Sequence, residues 1–548
     1  MATLSALDRG NVIRKMSSEV YDLIIIGGGI TGAGIALDAA SRGLKVALVE
    51  KSDFASGTSS KSTKLIHGGL RYLKQFEIAL VREVGKERAT VHRLAPHLVK
   101  GEKMLLPLIK DGTYGKIMTS LGLMVYDVLA GVEREDQRVM LSKKEALLHE
   151  PLLDESVLEG GGLYAEYRTD DARLTLEVLK TATTYDADVL NYAEATDFLY
   201  TDGMVSGITW RDHLTGNEGE IKSKYVISAA GPWVDNIRKK NQSFQGKRLH
   251  PTKGVHVVIP HEKFPVQQSI YFDVPDGRML FAIPRERVTY LGTTDTDYHG
   301  DLNDVRTDKV DVEYLLDGAN RAFPSIALTI DDVESSWAGL RPLIEEEGKS
   351  ASELSRKDEI FESETGLLSI AGGKLTGYRK MAERIINKLA RRIDEDSDTY
   401  LPDCKTDKIP LTGGPFKDAE EVFKYEEEVK TRVLELGLEE FYAVYLVGNY
   451  GKQTEKVLKI MDGLQHDDVE VKLALAELEF CIHHESVQSI MDFFERRTGR
   501  LYFNINSIPK LQQPVLEKMA SLFNWSEERI NSENYYLKRG LEIASQFQ

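Results

Sequence analysis

Cysteine is the rarest residue in this chain of 548 amino acids, which contains only Cys404 and Cys481. The two positions are far apart in the sequence and have none of the spacings that cysteine metal sites use. A disulfide framework and a cysteine-rich metal site are therefore disfavoured. We expect two free thiols in a reducing compartment.

Long apolar runs are also missing. The nearest candidate for a run of about 20 apolar residues, DLIIIGGGITGAGIALDAA, is interrupted by glycines and by Asp22 and Asp38. The first twenty residues contain no apolar segment of the secretory type. The sequence therefore predicts no transmembrane helix.

Positive charge is the minority sign, with 70 Lys and Arg against 87 Asp and Glu and a formal net charge of −17. Such a chain would be repelled by a phosphate backbone, so we expect no nucleic-acid partner. A small anionic substrate is compatible with this charge only if one pocket concentrates arginine and lysine.

Glycine becomes sparse after about residue 410, where charged segments with helical periodicity begin. The length predicts two to four domains. We predict a separate helical domain over residues 400–548, joined through the linker LPDCKTDKIPLTGGP. Earlier strand-like runs predict a mixed sheet in a second domain; they cover 225–234, 254–260, 279–284, 288–295 and 366–373.

Residues 21–50, YDLIIIGGGITGAGIALDAASRGLKVALVE, have the pattern of a βαβ unit. Gly27, Gly29 and Gly32 form G-x-G-x-x-G between a strand and a helix, where glycines allow a tight turn and close approach of a pyrophosphate. The N-terminus of the helix then faces the phosphates. Glu50 ends the second strand, where a carboxylate suits an adenosine ribose. We therefore predict a dinucleotide site.

The βαβ unit alone does not decide between FAD and NAD. Its place near the N-terminus of a long chain favours FAD, and so does the segment LLSIAGGKLTGYRKMAERIINKLA (367–390). This segment predicts a strand, a glycine turn and the start of a helix. The N–H groups at such a helix start suit the N1–C2=O edge of a flavin, which becomes negative on reduction.

Eight motifs occur in order along the chain: GGGITGAGIALDAASRGLKVALVE, GTSSKSTKLIHGGLRYL, DDARL, AAGPWVD, KGVHVVIP, GTTDTDY, GLRPL and GGKLTGYRKMAE. Between about residues 20 and 395 they closely resemble the FAD-dependent glycerol-3-phosphate dehydrogenases of the aerobic, respiratory type. KLIHGGLRYL is specific to this family and to the related glycerophosphate oxidases. The helical tail also resembles the family's C-terminal domain, with weaker motifs.

The resemblance implies an α/β (α+β) fold of the D-amino-acid-oxidase type with three parts. A Rossmann-like FAD-binding domain would combine residues 20–95, about 150–250 and 340–395. A mixed-sheet domain that caps the substrate and faces the membrane would combine about 96–150 and 251–339, and an all-helical domain would cover 400–548.

The resemblance also implies a reaction and a location. The enzyme would oxidise sn-glycerol 3-phosphate to dihydroxyacetone phosphate with FAD as cofactor, and would pass the electrons to a membrane quinone. It would be cytoplasmic and bound peripherally to the inner face of the cell membrane. Assembly into a homodimer is left open.

The resemblance implies that Arg71, Tyr72, Arg341 and Lys374 line the substrate pocket, with Arg356 as a weaker candidate. His256 is also assigned to substrate binding. An arginine supplies a planar fork of donors that fits phosphate oxygens. We expect Arg341 to hold the phosphate, with Arg71 and Lys374 nearby.

Proton abstraction from the C2 hydroxyl needs a base, and histidine has an ordinary pKa near neutrality. His67 and His256 lie inside family motifs. We favour His67, because Gly68 and Gly69 beside it leave room for cofactor and substrate, and we retain His256 as the alternative.

Twelve positions are assigned to FAD: Gly27, Gly29, Gly32, Glu50, Thr58, Ser59, Ser62, Gly231, Gly373, Lys374, Leu375 and Thr376.

Two further segments need an interpretation. Residues 98–131 combine four lysines, at 100, 103, 110 and 116, with many apolar residues. This suits an anchor lying on anionic lipids, and a buried helix with solvated lysines is the alternative. The run His483-His484-Glu485 predicts a solvated helix and no metal site, because adjacent helical positions point about 100° apart.

Three other functions stay open. A glycerophosphate oxidase would reduce dioxygen to hydrogen peroxide, although those relatives are longer than this chain. A flavin oxidase acting on an amine would not need the pair HGGLRY and GLRPL. A flavin-binding regulator without turnover would not need the constellation of histidine, arginine and lysine.

Overall fold

The computed structural model describes residues 4–66, 78–112, 137–345 and 357–547. Its strands, numbered β1 to β18 in chain order, are Val20–Ile26, Val46–Val49, Leu65–Ile66, Lys100–Ile109, Val139–Ser142, Leu158–Arg168, Asp188–Leu190, Ala193–Thr201, Met204–Asp212, Glu218–Ser228, Leu249–Pro260, Ser269–Asp273, Met279–Arg285, Val288–Gly292, Thr296–Asp297, Ser335–Ile344, Asp358–Glu362 and Leu368–Gly372.

The α-helices, numbered α1 to α15, are Arg9–Ser18, Ile30–Ser41, Ile78–Leu94, Lys143–His149, Asp171–Thr183, Val234–Lys240, Lys309–Ala322, Tyr378–Ser397, Ala419–Glu435, Phe441–Tyr450, Thr454–Gly463, Val469–His484, Arg500–Phe503, Ile508–Phe523 and Glu527–Ser545. A π-helical turn covers Asp492–Arg497. Every predicted strand-like run overlaps an observed strand, although the run 225–234 leaves β10 after Ser228 and ends in a helical turn. The predicted helix after the glycine turn coincides with α2.

Within the described residues the first sheet has eight strands, and its central part runs in the order β17-β18-β10-β1-β2-β7. Strand β1 pairs in parallel with both β2 and β10, so that Ile25 lies between Leu48 and Ile227. All four residues Leu23 to Ile26 are buried, as expected for a parallel strand covered on both faces. Helix α2 packs against α5 and α8 on one side of this sheet.

The second sheet has ten strands in the part of the chain that the structure describes, and its main path is β15-β11-β14-β13-β12-β4-β6-β3. Strand β11 is its longest, and it pairs antiparallel with β14, β15 and β16. The pairing of β11 with β16 places Gly254 opposite Gly339, and His256 opposite Trp337. The fold thus has a parallel-centred sheet and a mixed sheet, and the domain boundaries drawn from the sequence stay predictions.

Helices dominate the chain after residue 400, where α9 to α15 bury a shared apolar core. This part is joined to α5 by buried ion pairs. Arg173 Nη1 lies 2.6 Å from Glu485 Oε2, and Lys180 Nζ lies 3.0 Å from Glu485 Oε1. The prediction of a solvated helix end was therefore wrong for Glu485, whose side chain is fully buried, because its cationic partners come from a helix 300 residues earlier.

The first part of the predicted membrane anchor is also different in the structure. Residues 100–109 form β4 inside the mixed sheet, and Met104, Leu105 and Leu106 are buried there. Lys100 pairs with Glu426 at 2.6 Å. A helix, whether lying on lipids or buried, was wrong for residues 100–109, because they form a strand whose apolar residues face the core of a sheet. Residues 113–131 lie outside the described residues. Among the helices that the structure describes, none has both the length and the apolar character to cross a bilayer.

Candidate active site

The glycine turn after β1 has the geometry that the sequence predicts. Gly27 has φ of +116°, and a Cβ at this position would lie 2.6 Å from the carbonyl oxygen of Ala229. A Cβ on Gly32 would lie 1.9 Å from the carbonyl oxygen of Gly27. Gly29 is the N-cap of α2. Side chains are thus excluded from this turn, and the start of α2 can approach a pyrophosphate.

Glu50 closes the turn from the end of β2. Its carboxylate accepts hydrogen bonds from the N–H groups of Gly28, at 2.7 Å, and Ser52, at 3.0 Å. Burial raises the pKa of Glu50, and these two bonds oppose that rise. Ser59 Oγ accepts the N–H of Ile30 at 2.9 Å, so this residue lies directly at the start of α2.

A cavity of about 410 Å³ connects these groups with the mixed sheet. Eleven of the twelve positions assigned to FAD line it, and Gly32 packs behind the turn instead. Gly231 has φ of +52°, and among the described residues no atom outside its two chain neighbours lies within 4 Å of a Cβ built there. The cavity therefore has an open glycine wall facing the space that a dinucleotide would fill.

A second helix start reaches the same cavity from β18. Gly372 and Gly373 have φ of +76° and +75°, and a short 3₁₀ turn at Leu375–Gly377 leads into α8. Leu375 and Thr376 line the cavity. The positive end of this helix therefore lies beside the cavity, and its contact with a flavin edge stays a prediction.

Arg341 extends from β16 into the cavity and is held in one orientation. Its Nη1 donates to the Thr294 carbonyl oxygen and to Asp295 Oδ1, both at 3.1 Å, and its Nη2 donates to Thr293 Oγ1 at 2.9 Å. A Cβ on Gly254 would lie 2.4 Å from Nη2, so the guanidinium group needs glycine there. Lys374 Nζ is buried at the same cavity.

His256 also lines the cavity, on β11. Its ring stacks on Trp337 with centroids 4.8 Å apart, and its Nε2 forms a hydrogen bond of 3.0 Å with Thr63 Oγ1. Burial, followed by the positive charges of Arg341 and Lys64, holds the pKa of His256 well below 6.5. The imidazole is therefore neutral at physiological pH.

Four of the predicted substrate or catalytic residues lie outside the described residues, namely His67, Arg71, Tyr72 and Arg356. Their roles stay predictions. The structure does bring His256, Arg341 and Lys374 to one cavity, although they are up to 118 positions apart in the chain.

Sequence reasoning missed a group at the other end of the cavity. Lys51 Nζ lies 4.0 Å above the centre of the Trp233 ring, and both side chains bond to Asn303 Oδ1. The only signal was position, because Lys51 follows Glu50 directly. Asn303 comes from a loop that no motif marked.

Two family models match the chain. The model described as FAD dependent oxidoreductase covers residues 22–379, and the model described as C-terminal domain of alpha-glycerophosphate oxidase covers residues 404–530. The fold and the cavity thus define an FAD-dependent oxidoreductase of the D-amino-acid-oxidase type, with a helical C-terminal part.

Close relatives narrow the class. The chain is 48% identical to an aerobic glycerol-3-phosphate dehydrogenase of Bacillus subtilis and 49% identical to one of Staphylococcus haemolyticus. These matches cover 98% and 99% of this chain and 98% of each relative. The chain belongs to the family of aerobic glycerol-3-phosphate dehydrogenases.

Solved structures agree with this assignment. The glycerol-3-phosphate dehydrogenase of Bacillus halodurans, complexed with FAD, has a TM-score of 0.85 and 43% identity, over 100% of this chain and 99% of that chain. An L-alpha-glycerophosphate oxidase of Mycoplasma pneumoniae with bound FAD has a TM-score of 0.55 and 20% identity, over 68% of this chain and 95% of that chain, and shows the shared fold alone. FAD is the cofactor, and the glycine walls and helix starts fit it.

Proposed function

We propose that the protein oxidises sn-glycerol 3-phosphate to dihydroxyacetone phosphate. The observation that carries this proposal is the placement of Arg341 and Lys374 in the cavity that also contains the dinucleotide turn. In a chain with a net charge of −17, two cations that line one cavity supply the local positive charge that a small anionic substrate needs. The names of the relatives give that anion as glycerol 3-phosphate.

In the proposed mechanism the phosphate lies against Arg341, with Lys374 and Arg71 nearby. The contacts of Arg341 with Asp295 and Thr293 fix its donors before the substrate arrives, which lowers the cost of ordering it. His67 takes the proton of the C2 hydroxyl, and His256 is the alternative base. Bound FAD supplies the acceptor for the C2 hydride.

The electron acceptor is a separate part of the proposal. We propose a membrane quinone, as the family of aerobic dehydrogenases implies, with dioxygen as the alternative acceptor. The protein would then act at the inner face of the cell membrane, as a peripheral and cytoplasmic enzyme.

The direct test of the function is anaerobic. Adding glycerol 3-phosphate to the FAD-loaded protein under argon should bleach the flavin absorbance, since two electrons enter the flavin for each substrate oxidised. Glycerol at the same concentration is the control and should bleach it far more slowly. Unchanged absorbance with glycerol 3-phosphate would refute the proposed function. In air, hydrogen peroxide well below one equivalent per substrate supports the dehydrogenase, and one equivalent would identify an oxidase.

The proposed membrane contact depends on lysines in and after β4 whose side chains do not face the core of the sheet. Lys103 and Lys110 are exposed, and Lys116 lies outside the described residues. Replacing these three by glutamine should remove about 1 kcal/mol of attraction per charge to anionic vesicles, and should therefore lower co-sedimentation strongly at low salt. A variant with glutamine at Lys417, Lys424 and Lys430 loses the same charge from the helical part and should sediment as the unchanged protein does. Equal sedimentation of all three proteins would argue against this contact surface.

A further inference from the structure

The loop that follows β2 covers the dinucleotide turn from outside. The N–H of Ala55 donates to the carbonyl oxygen of Gly28 at 3.1 Å, and a Cβ on Gly28 would lie 2.7 Å from the Phe54 ring. Glu50 begins this loop, and its carboxylate lies on the same glycine. The position of the loop therefore sets the position of two FAD-facing elements, the Glu50 carboxylate and the turn itself.

Asp53 lies at the centre of this loop and points into the helical part of the protein. Its carboxylate accepts hydrogen bonds from Arg496 Nε at 2.6 Å, from Arg497 Nη1 and Nη2 at 2.7 and 2.9 Å, and from Asn191 Nδ2 at 3.0 Å. Asp53 is only 1% exposed. Burial alone would raise its pKa, but the two guanidinium groups hold the pKa of Asp53 at about 2, so the carboxylate stays ionised.

The two arginines are fixed in turn by the helical part. They lie in the π-helical turn Asp492–Arg497, where Arg497 donates to the carbonyl oxygen of Glu485 at 3.0 and 2.7 Å. Arg496 Nη2 donates to Asp492 Oδ1 at 3.0 Å. The π-helical turn thus holds both cations rigidly over a loop that lies more than 440 positions earlier in the chain.

A second connection runs in parallel through Tyr192. Its hydroxyl donates to Asp492 Oδ1 at 2.6 Å, while its N–H donates to the carbonyl oxygen of Ser52 at 2.8 Å. The N–H of Ala193 donates to the carbonyl oxygen of Glu50 at 2.7 Å. The same π-helical turn therefore reaches the FAD-binding loop at two places, once by charge and once through a neutral hydroxyl.

We propose that Arg496 and Arg497 are positioning residues for FAD, acting through Asp53. They hold the loop in the form that presents Glu50 and the glycine turn to the dinucleotide. By linkage, FAD binding then tightens the docking of the helical part on the loop, and docking tightens FAD binding by the same factor. This gives the helical C-terminal part a function in retaining the cofactor.

The test compares FAD affinity with stability in matched variants. Arg497→Lys keeps the positive charge but loses the bidentate contact with Asp53. Asp53→Asn removes the negative charge of the carboxylate that both arginines bind. Both should raise the Kd of the apoprotein for FAD, measured by quenching of flavin fluorescence, at least tenfold. The control is Arg500→Lys, which disturbs another buried ion pair of the helical part, with Glu477 at 2.6 Å.

The control should lower the melting temperature of the apoprotein by a similar amount yet leave the Kd for FAD within twofold. Equal increases of Kd in all three variants, or no increase for Arg497→Lys, would refute the positioning role. If the variants do not fold, hydrogen exchange of the unaltered protein gives the answer. Removal of FAD should deprotect residues 51–57 and 486–497 together while α12 keeps its protection, and deprotection of 51–57 alone would overturn the proposal.

Discussion

Arg341→Gln should lower kcat/KM for glycerol 3-phosphate by roughly 100- to 1,000-fold, since loss of one partner of a largely desolvated charge pair costs about 3–4 kcal/mol. The side chain of Arg341 is 19% exposed, so in the variant water can replace only part of the interaction between Arg341 and the substrate phosphate. Arg341→Lys should give an intermediate loss, because lysine keeps the charge and lacks the fork. Anaerobic reduction of the flavin over a range of substrate concentrations measures both variants.

Two controls make this result specific to phosphate binding. Arg306→Gln removes an exposed arginine that pairs with Asp304 outside the cavity, and it should leave kcat/KM unchanged. The slow reaction with glycerol, which has no phosphate, should be nearly the same in Arg341→Gln and in the unchanged protein. If the variant lost activity toward glycerol as strongly as toward glycerol 3-phosphate, Arg341 would be supporting the local structure and not the phosphate.

His67→Asn should slow anaerobic flavin reduction by about 10²- to 10⁴-fold, the usual contribution of a general base. His256→Asn should have a smaller effect, because His256 then contributes only packing against Trp337 and contacts with the substrate. The FAD content of both variants should stay close to that of the unchanged protein, while the melting temperature of His256→Asn should fall because a buried ring stacked on Trp337 is lost. A loss below threefold for His67→Asn would remove His67 from this role and assign it to His256.

The pH profile separates the same two candidates without a mutation. A base must be neutral to accept a proton, so the rate falls as the pH drops through its pKa. At saturating substrate, a base with the ordinary histidine pKa makes the limiting rate of flavin reduction fall below about pH 6.5. The pKa of His256 is held well below 6.5, so with His256 as the base this limiting rate would begin to fall only at a lower pH.

The dinucleotide half of the site could be predicted from sequence because its signals are local. A strand, three glycines, a helix and a terminal Glu50 all occur within thirty residues, and each position is dictated by backbone geometry. Arg341 and Lys374 were found through motifs, and only the fold brings them to one cavity. Local sequence patterns were sufficient to predict the part of the site that is built from residues adjacent in the chain.

The wrong and missing predictions concern residues whose environment is set by contacts with distant parts of the chain. Glu485 looks solvated in its own helix, and only Arg173 and Lys180, far away in the chain, explain its burial. Met104 to Leu106 fit an amphipathic surface as well as a sheet interior, and pairing with β6 decides between them. Asp53 has no local signal at all, since its partners are at positions 496 and 497.

The order of strands in the parallel-centred sheet has a consequence for biosynthesis. The first segment to leave the ribosome contains β1 and β2, but β10 ends only at Ser228 and β18 begins only at Leu368. A nascent chain therefore exposes one unpaired edge of β1 until residue 228 has been made, and an exposed strand edge favours aggregation. Residues between Ile370 and Met381 also line the cavity, so a chain that stops before β18 lacks one wall of the cofactor site and should not retain FAD.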